Sequence, residues 1–129
     1  QEQLVIAGVR DVLEDLHNKY VMGIVTSSRP DHFDIIHRRT GLLKYFNFSI
    51  KLGDYTHSKP HPEPYLLALE RSGFDAEECL VIEDSERGLT AANKAGLRCI
   101  VIPNEFTKGS NFSGAYKVMT GLKELLVEL

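Results

Sequence analysis

Apolar and polar positions alternate along this chain with two periods, and the switches between them outline the fold. From Val9 the apolar residues Val9, Val12, Leu13, Leu16 and Tyr20 recur at helical spacing, with Arg10, Asp11, Glu14 and Asp15 on the opposite face. A short apolar run at 21–25 predicts a buried strand that ends in Thr26-Ser27-Ser28-Arg29-Pro30, where Pro30 suits the first turn of a new helix. That helix is predicted over about 30–40, with Phe33 and Ile36 inward and Gly41 as its stop. A weaker strand follows at about 48–52, then a loop with Pro60, Pro62 and Pro64, then a helix over about 62–72 closed by Gly73. Cys79-Leu80-Val81-Ile82-Glu83 reads as a second buried strand, and Ser85 as the cap of a helix over about 85–95. Gly88, Ala91, Ala92 and Ala95 give this helix a small-residue face that lets it lie close on a sheet. A last strand at 99–102 is broken by Pro103, and a polar loop leads to a final helix striped by Leu122, Leu125, Leu126 and Leu129. Short buried strands alternating with helices predict an α/β fold: a Rossmann-like, three-layer parallel sheet.

Composition narrows this picture without redirecting it. With 129 residues the chain suits one domain spanning 1–129. The net charge of -3 is spread without a basic run, which speaks against nucleic acid as partner. No apolar segment is long enough to span a bilayer and no signal-peptide pattern is present, so no membrane role is expected. Cys79 and Cys99 lie in apolar runs without ligand spacing and read as buried reduced thiols, which suits the cytoplasm. Gln1 stands where an initiator methionine is expected, which points to a piece of a longer product.

The candidate chemistry gathers at strand ends. Glu83 and Asp84 close a buried strand beside a helix start, the place where open α/β sheets bind ligands. Two close carboxylates repel one another, and a hard cation such as Mg2+ relieves that cost. The bland alternative is an acidic turn that favours the helix dipole. Thr26 and Ser27 follow another strand and can hold a phosphate oxygen, or simply cap a helix. Lys59 stands in a proline-restrained loop, able to neutralise phosphate and acids together; a solvated loop lysine is the commoner case. Arg29 is a candidate for a second anionic group of a substrate, although helix-start arginines are more often solvated. Arg87 is expected to pack, or to pair with Glu83 or Glu86, at the helix start. His17, His32, His37, His57 and His61 share no metal-ligand spacing, and no role is evident for His57 and His61 beside the lysine loop. Tyr116 reads as packing. Hydroxyl, lysine and paired acids at one sheet edge together describe a phosphoryl-transfer site.

In this combination the chain resembles the haloacid dehalogenase superfamily, in particular its phosphatases and β-phosphoglucomutase-like members (subfamily IA). Val25-Thr26-Ser27-Ser28 is similar to that family's second motif, whose hydroxyl binds the phosphoryl group. Ser58-Lys59-Pro60-His61-Pro62-Glu63-Pro64-Tyr65 resembles the third, whose lysine stabilises the phosphoaspartate and the acids. Val81-Ile82-Glu83-Asp84-Ser85-Glu86-Arg87-Gly88-Leu89 resembles the fourth, whose acids position Mg2+, and Ala91–Leu97 matches the helix after it. The likeness runs from about residue 8 to 103. It implies Thr26 and Lys59 as catalytic residues, Thr26, Ser27 and Lys59 as phosphate ligands, and Asp84 with Glu83 as Mg2+ ligands.

The departure is as informative. The family's first motif, an aspartate nucleophile with a second aspartate two residues on, has no counterpart, since Asp11 and Asp15 fall on a predicted helix. The helical cap that selects substrate has none either. By the resemblance, the missing strand would lie mid-sheet between 21–25 and 79–83, so these strands must pair directly or leave open edges. The implied activity is Mg2+-dependent hydrolysis of a small phosphomonoester through a phosphoaspartate, with this chain alone inactive. A phosphosugar mutase is the nearest alternative. A non-catalytic remnant is a further one. A receiver-like signalling module would place its acids before the hydroxyl and lysine, the reverse of the order here. Substrate identity and oligomeric state are not legible in the sequence.

Overall fold

The computed structural model describes residues 9–26, 31, 34, 35, 38, 41–121 and 124. The expected leucine stripe at 122–129, the inward Phe33 and Ile36, and the candidate ligands Ser27 and Arg29 lie outside the described residues. In chain order the elements are α1 (Val9–His17), β1 (Gly23–Val25), β2 (Phe48–Ile50), α2 (Glu63–Ser72), β3 (Leu80–Glu83), α3 (Glu86–Lys94), β4 (Arg98–Val101) and β5 (Lys117–Val118). Asp31, Asp34, Ile35 and Arg38 are helical, within the helix expected between β1 and β2.

All strand pairs are parallel, but they form two ladders where the sequence predicts one sheet. β1 pairs with β2, and β3, β4 and β5 pair in that order. Of the two outcomes expected for the strands before Thr26 and Asp84, open edges are the one seen: among the described residues β1 and β3 do not pair. Ile82 is accordingly 38% exposed in the middle of an apolar strand. β5 is absent from the sequence-based expectation, because a two-residue exposed edge strand has no alternation to read.

The larger ladder is covered on both faces, as period-2 alternation along β4 requires. Ile100 packs with Val12 and Leu16 of α1 and with Met119, whereas Cys99 and Val101 face Leu89, Ala91 and Ala92 of α3 and Tyr65 of α2. The small-residue face of α3 thus lies on the sheet as predicted, with Ala91 and Ala92 fully buried. Tyr20, expected on the buried face of α1, is instead exposed, because the helix stops at His17. α2 serves both ladders: its Tyr65 joins the core around β4, and its Ala68 packs on Ile50 of β2 and on Tyr55. It ends as predicted at Gly73, whose φ of 76° is the left-handed conformation glycine adopts without strain.

Candidate active site

The carboxyl ends of β1 and β3 face each other across the gap between the ladders, and one side chain bridges them. Lys59 Nζ donates to Glu83 Oε2 at 2.5 Å and to the Val25 carbonyl oxygen at 3.1 Å. Both members of this ion pair are buried, with side-chain exposures of 11% and 6%. Tyr65, reaching in from α2, donates its hydroxyl to the same Oε2, and Lys59 Nζ lies 5.1 Å from the centre of the Tyr65 ring. Burial foremost, then the Glu83 charge, pushes the Tyr65 phenol far above its ordinary range, so it remains a donor. Two charge-assisted bonds offset the cost of taking Glu83 out of water.

Glu83 and Asp84 consequently do different things. Glu83 points into the core, where its carboxylate lies so close to Gly88 that a Cβ at that position would collide with it. Asp84, one residue further and just past the strand, is exposed. Its Oδ2 accepts from Asn104 Nδ2 at 2.9 Å. The side-chain oxygen of Asn104 accepts from the backbone N–H groups of Phe106 and Thr107 at 2.8 and 3.0 Å, which orients its amide nitrogen toward Asp84. The bland reading of this turn also holds, because Ser85 caps α3 by accepting from Gly88 N at 3.1 Å. Of the two readings for Arg87, packing or pairing with Glu83 or Glu86, the pairing is corrected: Arg87 is exposed, Glu83 is taken by Lys59 and Tyr65, and Glu86 accepts from Asn111 N at 3.3 Å.

Thr26 follows β1 at the same edge. Its N–H donates to the Ile50 carbonyl at 2.9 Å and its carbonyl accepts from the Tyr55 hydroxyl at 2.9 Å, so its backbone is tied to both β2 and the loop. The Lys59 loop is closed by Glu63, the first residue of α2, whose carboxylate accepts from Thr56 N at 2.7 Å and His57 N at 2.9 Å. These bonds, the Thr56 N–H first, hold the Glu63 carboxyl below its usual range. Tyr116, read as packing, is half-exposed and stacks with Arg98 across β4 and β5 at 5.3 Å.

The structure thus brings Thr26, Lys59, Glu83 and Asp84 to the neighbouring carboxyl ends of two ladders, and it sets Glu83 apart as the partner of Lys59. Sequence reasoning missed Tyr65, Asn104, Tyr55 and Glu63. A tyrosine on the buried face of a helix signals a hydroxyl in need of a partner, and Asn104 three residues before Thr107 signals an Asx turn. Asp84 also suits a hard cation in its own right. It is an exposed oxygen donor at a strand end, held on one oxygen by Asn104, and Mg2+ takes one or two carboxylates with water and phosphate completing its shell.

The hydroxyl, the lysine and the acids thus lie at or beside the carboxyl ends of parallel strands, the place where open α/β sheets bind ligands. Residues 1–102 match the model of the haloacid dehalogenase-like hydrolases, and the chain belongs to that family. It is 36% identical to the plasmid-encoded CbbY of Cupriavidus necator over 104 residues, which is 78% of this chain and 41% of CbbY. A protein of Thermotoga maritima described as a β-phosphoglucomutase superposes with a TM-score of 0.87 at 30% identity, covering 96% of this chain and 60% of its own. YfnB, a hydrolase of this family from Bacillus subtilis bound to magnesium, gives a TM-score of 0.85 at 25% identity, over 96% of this chain and 55% of YfnB. The chain therefore spans roughly half the length of these relatives.

Proposed function

We propose that this chain supplies the phosphate- and cation-binding part of a Mg2+-dependent phosphatase that acts on a small phosphomonoester. The observation that carries the reading is Lys59, held by Glu83 and the Val25 carbonyl at the junction of two strand ends, with Thr26 on one side and Asp84 on the other. In this reading Thr26 and Ser27 donate to the phosphoryl oxygens, and Lys59 offsets their charge as it passes from one acceptor to the next. Glu83 fixes the ammonium, Tyr65 fixes Glu83, and Asp84 with Asn104 behind it holds the cation. Bound there, Mg2+ would neutralise phosphate charge and orient the phosphoryl group; Glu83, whose hydrogen bonds from Lys59 and Tyr65 both fall on Oε2, adds negative charge to that position. Arg29 is assigned to a second anionic group of the substrate.

The attacking group is an aspartate outside these 129 residues. Asp11 and Asp15 lie on α1, not at a strand end. The reaction transfers the phosphoryl group to that carboxylate with release of the alcohol, and water then cleaves the acyl phosphate. The likeness to the Thermotoga maritima protein favours a phosphosugar mutase as the second reading, in which a second sugar hydroxyl replaces water as acceptor. We treat 1–129 as one domain of the hydrolase core and place it in the cytoplasm, a reading supported by two cysteines that are both free thiols.

Mass spectrometry of the protein from its native source sets the length to be assayed. At that length Asp84→Asn should lower Mg2+-dependent hydrolysis of p-nitrophenyl phosphate by about 10²-fold or more. Unchanged turnover would remove Asp84 from the site.

A further inference from the structure

We propose that His57, His61 and Glu63 form a binding site for a borderline transition cation such as Zn2+, on the solvent side of the loop that carries Lys59. The three residues lie within one seven-residue stretch, and one donor atom from each falls within 4.8 Å of the others. His57 and His61 stand four residues apart, a spacing that zinc sites use on helices and in fingers, but here they lie in a proline-rich loop that hides it. A bend through Pro60 and Pro62 brings the three together.

The donor set is two imidazoles and one carboxylate, which suits Zn2+, Co2+ or Ni2+ and distinguishes the site from the all-oxygen environment of Asp84. Glu63 is already fixed by the backbone N–H groups of Thr56 and His57. His57 Nδ1 lies 2.9 Å from Glu63 Oε1, and His61 Nδ1 accepts from Glu63 N at 3.0 Å. The two rings stack with centroids 4.6 Å apart. Tetrahedral zinc with bonds of ~2.0–2.1 Å needs its donors about 3.4 Å apart. Closing the cluster therefore takes a small rotation of two exposed rings about a carboxylate that stays in place.

Binding exchanges contacts that are present for stronger ones. The proton that His57 Nδ1 shares with Glu63 moves to Nε2, which faces water, and His61 gives up the bond from Glu63 N. The loop's own lysine does not oppose the ion, because it is turned inward to Glu83 and Val25. Among the described residues Glu63 has no lysine or arginine partner. Coordination would lock the segment that delivers Lys59, so the site can stiffen that loop without touching the phosphoryl-binding groups.

The test uses the 129-residue chain without a histidine tag and Zn2+ itself, titrated against a chromophoric chelator, with Co2+ as a spectroscopic probe. The expected result is one Zn2+ per chain and intense tetrahedral-type Co2+ bands. Affinity should fall at least tenfold in His57→Ala and in His61→Ala, and stay unchanged in Cys79→Ser, which removes the other accessible soft ligand. Both imidazoles are exposed, so the variants should retain the parent circular dichroism; His61→Gln serves as a second variant if His61→Ala does not. Equal Zn2+ affinity in the parent and the folded histidine variants would overturn the proposal, as would loss of binding in Cys79→Ser alone. Neither result depends on phosphatase activity.

Discussion

The Lys59–Glu83 pair sets the energetics of the site. A buried ion pair gains little over an apolar pair of the same shape, but removing one partner strands the other charge. Glu83→Gln should therefore destabilise the protein by about 3–5 kcal/mol in urea unfolding, whereas Lys59→Met combined with Glu83→Leu should recover most of that loss. A cost below 1 kcal/mol for the single change would mean that Lys59 reaches water. Cys99 lies against the same cluster. Burial first, and the Glu83 charge second, push its thiol up to about 12. Its folded pKa lies above the unfolded value of ~8.5, so its contribution to stability is complete below ~8.5 and is lost as pH rises through about 12. At pH 8 iodoacetamide should alkylate Cys79 in the native protein and Cys99 in denaturant alone, read by mass spectrometry of peptides. These residue-level roles were half legible in the sequence. The types and order of Thr26, Lys59, Glu83 and Asp84 suggest the phosphoryl chemistry proposed above. Their division of labour did not show, because it depends on Glu83 turning inward to Lys59 and Tyr65 while Asp84 stays exposed beside Asn104.

At the scale of elements, the Lys59 loop and α3 hold the site in register. Glu63 closes the loop through two backbone N–H groups, and its carboxyl is held below the usual range. The sign follows from a depressed folded pKa: the loop is supported above ~4.3 and released as pH falls through the lowered value. Glu63→Gln should speed amide exchange at Thr56 and His57 roughly tenfold, measured by NMR. Rates equal to the parent's would show that the prolines alone hold the loop. Gly88 in α3 is the second constraint. A methyl group there collides with the Glu83 carboxylate, so Gly88→Ala should cost about 1–3 kcal/mol by overpacking and dislodge Lys59 with it. The small-residue face of α3 and its Ser85 cap were readable from spacing. β5 was not, since pairing between distant strands leaves no trace in local periodicity, whereas the split of the sheet was one of the two outcomes that a missing mid-sheet strand allows.

At the scale of the whole molecule, two ladders share one cover. α2 packs on both through Tyr65 and Ala68, and Lys59 links their carboxyl ends. Such an arrangement should unfold as a unit, so Ile50→Val and Ile100→Val, in separate clusters, should each cost about 0.5–1.5 kcal/mol and add in the double variant. Two transitions in urea would contradict that coupling. In the proposed function the chain carries the phosphate- and cation-binding half of a hydrolase site, and the attacking aspartate lies outside its 129 residues. The most direct test is turnover of p-nitrophenyl phosphate by the purified 129-residue chain in saturating Mg2+. The account predicts a rate no higher than that of buffer with Mg2+. Robust turnover that Asp84→Asn abolishes would contradict it, by showing that the attacking group lies within these residues.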